Sequence, residues 1–73
     1  MKIYNVIQRD RHVDTTATPF LDLKEAIKYA KETALKENEK NATYYKEETY
    51  DGWLFFVEYN AEGDCLWITE HEI

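Results

Sequence analysis

The sequence predicts an α+β fold in which one amphipathic helix packs on one face of an antiparallel sheet of about five strands, in the order ββαβββ. Three patterns predict this fold: a helical period in residues 22–38, a period of two on either side of it, and turn sequences between the segments. The chain has 73 residues with two glycines and one proline, which leaves no room for a flexible linker. We therefore expect a single domain over residues 1–73.

The first two strands are predicted before the helix, at residues 2–8 and 12–18. The period of two in both segments is typical of strands. Residues 9–11 between them are all charged, and a connection of this length predicts a hairpin.

The helix is predicted over residues 22–38, where Asp22 and Glu25 have the spacing of a capping box at a helix N-terminus. Its apolar side chains fall within about 100° of arc, and most of its lysines and glutamates fall opposite. The apolar stripe includes small side chains that permit close packing: Leu23, Ala26, Ile27, Ala30 and Ala34.

Three further strands are predicted after the helix, at residues 44–50, 53–59 and 65–73. Asp51 and Gly52 separate the first two, and Asp-Gly is among the strongest sequence signals for a two-residue hairpin turn. Residues 61–64 form the next predicted turn, which leads into the last strand.

The segment at residues 53–59 is apolar on both sides, with Leu54 and Phe56 on one of them. A single helix covers only one face of a sheet, and a large exposed aromatic patch is uncommon on a lone soluble domain. The alternative is that the twisted sheet curls over its own aromatic side chains. We predict a homodimer, with a dimer or partner contact through the aromatic face formed by Trp53, Phe55, Val57 and Tyr59.

The negative charge of the chain is concentrated after the helix. The net charge is −6, but residues 1–42 hold eight basic and seven acidic side chains, whereas residues 43–73 hold one lysine and eight acids, a net of −7. Acids on strands either are solvated and oppose edge aggregation, or form a surface for a basic partner. The candidate partner-binding acids are Glu47, Glu48, Asp51, Glu58, Glu62, Asp64, Glu70 and Glu72.

No residue pattern predicts catalysis, a metal site or a cofactor, so we expect a non-enzymatic protein. Cys65 and His71 have the same parity on one strand, but six residues at about 3.3 Å each place them roughly 20 Å apart. Two histidines without clustered cysteines specify no metal site. Direct binding to nucleic acid is also disfavoured, because the charge is negative where the aromatic residues lie.

A cytoplasmic location is predicted by the single cysteine and by a start, MKIYNVIQRD, that lacks an apolar stretch of signal-peptide length. The longest apolar run, residues 53–57, is far shorter than the ~20 residues that span a bilayer. No membrane segment is therefore expected.

In its small size, its acidity and its lack of catalytic motifs, the whole chain resembles the small acidic bacteriophage proteins that bind and disable host or defence factors. Some of these inhibitors mimic DNA by presenting carboxylates where DNA presents phosphates. Inhibitors of the histone-like protein HU are the first comparison, and anti-CRISPR proteins are the next. The resemblance implies a role in takeover of a bacterial host cell, and it assigns no residue.

Two functions remain as hypotheses. The first is an acidic inhibitor that engages a basic, nucleic-acid-binding bacterial protein, such as a histone-like protein or a CRISPR effector, and competes with DNA or RNA. The second is a small structural or interaction domain that dimerises through an aromatic sheet face. Acids that converge on one surface, with the ~7 Å spacing of neighbouring phosphates, favour the first hypothesis, and scattered acids favour the second.

Overall fold

A computed structural model describes residues 1–11, 13–41, 46–48, 52–59 and 63–73 of the chain. It confirms the predicted α+β class and the order ββαβββ. The elements are β1 (Lys2–Asp10), β2 (Val13–Phe20), α1 (Leu23–Asn41), β3 (Lys46–Glu48), β4 (Phe55–Glu58) and β5 (Cys65–Glu72).

The five strands form one antiparallel sheet in the spatial order β2-β1-β5-β4-β3. The last strand of the chain therefore lies in the middle of the sheet, where it joins the hairpin of β1 and β2 to the pair of β3 and β4. This arrangement brings the first and last residues together. The backbone N–H of Ile73 donates to the carbonyl oxygen of Met1 at 2.8 Å, and the Met1 ammonium donates to the carbonyl oxygen of Ile73 at 3.1 Å.

The helix begins directly after Asp22, as the capping signal predicts. The side chain of Asp22 accepts a hydrogen bond from the N–H of Lys24 at 2.8 Å, and its carbonyl accepts one from the N–H of Ala26 at 3.1 Å. The helix extends three residues beyond the predicted end, to Asn41. Ala26, Ala30 and Ala34 are each 0% exposed, so the small side chains of the apolar stripe hold the helix close to the sheet.

The hydrophobic core lies between α1 and one face of the sheet. Residues that oppose each other across antiparallel strands share a face, and Ile68 opposes Val6 on one side and Phe55 on the other. The core combines this face with the alanines of the helix, and its other buried members are Val57, Tyr59 and Leu66.

The four residues predicted to form one aromatic face are divided between the two faces, so that prediction is wrong in its details. Phe55, Val57 and Tyr59 lie on the helix side, where Val57 and Tyr59 are 0% and 1% exposed. Trp53 lies on the opposite side, because β4 begins only at Phe55 and a bend at Leu54 interrupts the alternation. A buried residue cannot contact a partner, so Val57 and Tyr59 are excluded from a docking surface.

The two predicted turns after the helix both contain a glycine in the left-handed region. Gly52 has φ 86° and Gly63 has φ 89°, conformations that L side chains rarely adopt. Asp51, the other half of the predicted two-residue turn, lies outside the described residues. Among the described residues, no helix combines the length and the apolar character needed to cross a bilayer.

We expect Ala30→Leu to lower the free energy of unfolding by about 1–3 kcal/mol, because a larger side chain has no space between helix and sheet. Leucine and alanine have similar helix propensities, so the effect isolates packing. Lys28→Leu introduces the same side chain on the exposed side of α1 and should change stability by less than about 0.5 kcal/mol. Urea denaturation measures both, and equal changes would contradict this packing.

Candidate functional site

The sheet surface opposite α1 carries no other helix or strand of the described part of the chain. We call this surface the open face. It contains a mixture of aromatic, aliphatic and charged side chains: Ile7, Arg9, Trp53, Phe56, Glu58, Cys65 and Trp67.

A stack of three aromatic rings forms the centre of the open face. The rings of Trp53 and Phe56 are 5.2 Å apart at an interplanar angle of 11°, and the rings of Trp53 and Trp67 are 5.4 Å apart at 27°. The Arg9 guanidinium lies 5.9 Å from the centroid of the Trp67 ring, in the range of a cation–π contact. Phe56 is buried, but Trp53 and Trp67 are only half-buried, so two indole rings remain accessible to a partner.

A row of charged side chains crosses the open face beside this stack. Arg9 opposes Cys65 on one side of β5, Glu58 opposes Cys65 on the other, and Lys46 opposes Glu58 at the next strand. The charge therefore alternates across the sheet, with a neutral thiol at its centre. Cys65 is 2% exposed, and burial raises the pKa of its thiol. Since the thiolate is the reactive form, this cysteine has the character of a small apolar side chain.

A partly buried polar cluster lies on the helix side, at the end of the sheet where β4 leads into β5. The hydroxyl of Tyr59 donates to a carboxylate oxygen of Asp10 at 2.5 Å and accepts from the side-chain amide of Gln8 at 3.2 Å. The carboxylate of Asp64 accepts from the N–H of Arg11 at 3.0 Å, and its carbonyl accepts from the N–H of Tyr59 at 3.1 Å. The cluster ties the turn before β5 to the hairpin of β1 and β2.

Asp64 corrects the prediction of an acidic partner surface, because this residue is 2% exposed. Its carboxylate is used within the fold, where it accepts a backbone hydrogen bond across the sheet end. Asp51 and Glu62 lie outside the described residues, as does the side chain of Glu48.

Three further candidate acids are exposed but have cationic neighbours. Glu47 lies 3.7 Å from the Lys31 ammonium, Glu70 lies 3.6 Å from that of Lys2, and Glu72 lies 3.4 Å from the N-terminal ammonium. Their strand positions place them on the helix side, whereas Glu58 lies on the open face. The exposed acids of the described part of the chain therefore do not all share one face.

The sequence predictions did not select three residues that shape the open face: Ile7, Arg9 and Trp67. The alternation of side chains along a strand was enough to place Trp67 on the face opposite Leu66 and Ile68, which are buried in the core. The missing information was which strands are neighbours, because that determines which side chains share a row.

Two further features of the described residues bear on chemistry at the surface. The described residues contain no group of three or more metal-binding side chains. A surface hollow of about 260 Å³ lies at the edge of the sheet, and its lining of Ile3, Pro19, Phe20 and Leu21 is apolar and contains no titratable side chain. Comparison with protein-family models, with curated proteins and with solved structures gave no match, so the functional argument rests on the geometry described above.

We expect Tyr59→Phe to lower the free energy of unfolding by about 1–2 kcal/mol at neutral pH, because Asp10 and Gln8 lose a buried hydrogen-bonding partner. Tyr29→Phe is the matched control. It keeps the ring that packs on Phe20 at 5.3 Å and should change stability by less than about 0.5 kcal/mol.

The same variant gives a prediction for pH dependence. Burial and the hydrogen bond to Asp10 raise the pKa of Tyr59 well above the ordinary 10.0. As the pH rises above 10, this tyrosine ionises in the unfolded state but not in the folded state, so the folded protein loses stability. The wild type should therefore lose more stability than Tyr59→Phe between neutral pH and pH values above 10, by up to about 1.4 kcal/mol per pH unit. Parallel curves would contradict the raised pKa.

Proposed function

We propose that this chain is a non-enzymatic protein-binding domain that docks its partner through the open face. The observation that carries the proposal is the stack of Trp53, Phe56 and Trp67, which lies uncovered by any other described element. Tryptophan and arginine are the residue types most enriched at binding hot spots. Trp67 with Arg9 over its ring supplies both in one place.

The position of the stack in the sheet also supports binding. Trp67 lies on β5, which is paired with β1 on one side and β4 on the other, so its backbone is held by two neighbours. A rigid platform loses little conformational freedom when a partner binds, and this raises the affinity that a given contact area provides. Flat, half-buried aromatic rings with polar groups at their edges are suited to a protein surface.

The chemistry of the open face supports binding more than catalysis. Its titratable groups include Cys65, but burial raises the pKa of this thiol and disfavours the nucleophilic thiolate. The guanidinium of Arg9 contacts the ring of Trp67, which is a contact typical of binding surfaces. A free buried cysteine also suits the reducing cytoplasm that we propose as the site of action.

A capture experiment tests the proposed docking surface. Tagged wild type, Trp67→Ser and Leu35→Ser are each used as bait in bacterial lysate to which untagged wild-type chain has been added. Leu35 is 49% exposed on α1, so its variant is a control for loss of an exposed apolar side chain away from the sheet. Trp67→Ser should lose at least about tenfold of the captured protein, while Leu35→Ser retains it. Equal capture by all three folded baits would rule out the open face as the docking surface.

The acidic-inhibitor hypothesis is a second candidate, favoured by the net charge of −7 over residues 43–73. A negative field attracts a basic, nucleic-acid-binding protein such as a histone-like protein or a CRISPR effector, and DNA or RNA would compete for the same groove. In this proposal the chain acts as a DNA mimic from a bacteriophage. Its support from the geometry is smaller, since Asp64 is buried and Glu47, Glu70 and Glu72 have cationic neighbours.

Block charge reversal tests this second candidate, because single exposed ion pairs contribute only about 0–1 kcal/mol. Glu47, Glu48 and Asp51 are changed to lysine together, and binding to HU and to a CRISPR effector is measured across a salt series with DNA as competitor. The inhibitor hypothesis expects salt-sensitive binding that the triple variant loses and that DNA displaces. Absence of binding by the wild type, or simultaneous binding of DNA and this chain, would contradict it.

A further inference from the structure

We infer that the partner on the open face is a second copy of this chain, related to the first by a two-fold axis that runs along β5. The inference rests on the proposed function, because it uses the same docking surface. It adds the identity of the partner and the orientation in which the two copies meet.

The row of charged side chains at Cys65 determines how two copies of the open face can meet. Arg9 and Glu58 lie on opposite sides of Cys65, one on each neighbouring strand. Adjacent strands are about 4.8 Å apart, so the Cα atoms of these two residues lie about 5 Å to the left and right of β5 at the same height along the strands. Across the three central strands the row is therefore positive at β1 and negative at β4, and Lys46 on β3 follows Glu58 farther out.

A face-to-face dimer of this sheet has a two-fold axis in the plane of contact. A two-fold axis parallel to β5 in the plane of contact exchanges the left and right sides of the sheet and keeps the position along the strands. Arg9 of each copy then lies opposite Glu58 of the other, which gives two equivalent ion pairs. In the next row, Ile7 lies opposite Phe56 of the other copy, and the two Trp67 rings approach each other at the centre.

The alternative axis, across the strands, does not match the charges. It would place β1 over β1 of the other copy, and the open-face positions of β1 are Ile3, Asn5, Ile7 and Arg9, none of which is acidic. Arg9 would then lose Glu58 as a counterpart. The positions of Arg9 and Glu58 therefore select the axis along β5, which places each arginine opposite a glutamate of the other copy.

The size of the face sets the expected strength. β1 and β5 pair over eight residues, a length of about 26 Å at 3.3 Å per residue. β3 and β4 are shorter, so the contact covers about 500 Å² per copy, or about 1,000 Å² in total. This is at the lower end for a specific interface, and we therefore expect a reversible dimer with a dissociation constant in the micromolar range.

Exchange of the two charges tests the inference by sedimentation of the purified chain. Arg9→Glu places two glutamates opposite each other at both symmetric contacts, and Glu58→Arg places two arginines there. Each variant alone should dimerise at least about tenfold more weakly than wild type. An equimolar mixture should form a heterodimer with an affinity within about threefold of wild type, because every contact again joins an arginine to a glutamate. The double variant Arg9→Glu/Glu58→Arg should also dimerise like wild type.

Matched controls on the exposed side of α1 carry the same changes of net charge. Lys28→Glu and Glu32→Arg should leave the dimer within about twofold of wild type. Reversals that leave the dimer intact, or a mixture that fails to restore it, would overturn the proposed axis.

A wild type that remains monomeric at hundreds of micromolar would overturn the inference as a whole. In that case the proposed function is still decided separately. It survives if Trp67→Ser loses captured lysate proteins and fails if that variant captures them as well as wild type does.

Discussion

The pairing of β5 with β1 is the contact on which the rest of the structure depends. It joins the two halves of the sheet and continues over eight residues from Lys2↔Glu72 to Arg9↔Cys65. Its register also assigns every side chain of the central strand to a face. A slip of one residue would move Trp67 into the core and expose Leu66 and Ile68, so the hydrophobic core and the open face are fixed by the same hydrogen bonds. The partly buried cluster of Tyr59, Asp10 and Gln8 also joins the end of β4 to β1 at one end of the sheet.

The order of the elements was predictable because it depends on local patterns. The helix follows from its own hydrophobic period and from the cap that Asp22 provides. Gly52 and Gly63, which have positive φ, belong to the turns that the sequence predicts. The spatial order of the strands was not predictable from such patterns. The insertion of β5 between β1 and β4 is a contact between residues far apart in sequence, and periodicity carries no information about it. The face of Trp53 was predicted wrongly for a related reason, because the alternation stops at Leu54 before the strand begins.

At the candidate site, the sequence predicts how many charged residues are present but not which residues become their neighbours. The count of acids after the helix is a property of the sequence, but the field that they produce depends on their neighbours. Lys2 and Lys31 are remote in sequence from Glu70 and Glu47, yet the fold brings each lysine within 4 Å of its glutamate. Asp64 adds to the count of acids, but its carboxylate is buried and accepts a hydrogen bond within the fold. Conversely, Arg9 is an unremarkable residue of a predicted turn until β5 places Trp67 beside it.

The central position of β5 also has a kinetic consequence. The hairpin of β1 and β2 and the strands β3 and β4 share no strand-to-strand contact until β5 lies between them, so neither half can form a complete sheet alone. Pairing β5 with β1 closes a long loop, of which the shortest runs from Arg9 to Cys65, and this costs chain entropy before the central hydrogen bonds are gained. Folding is therefore expected to be cooperative and slower than for a sheet built from local hairpins, with a transition state in which β1 and β5 have already been brought together. During synthesis on the ribosome, the aromatic surface of β4 stays without its neighbour until the last strand emerges, and this interval is when the chain is most exposed to aggregation.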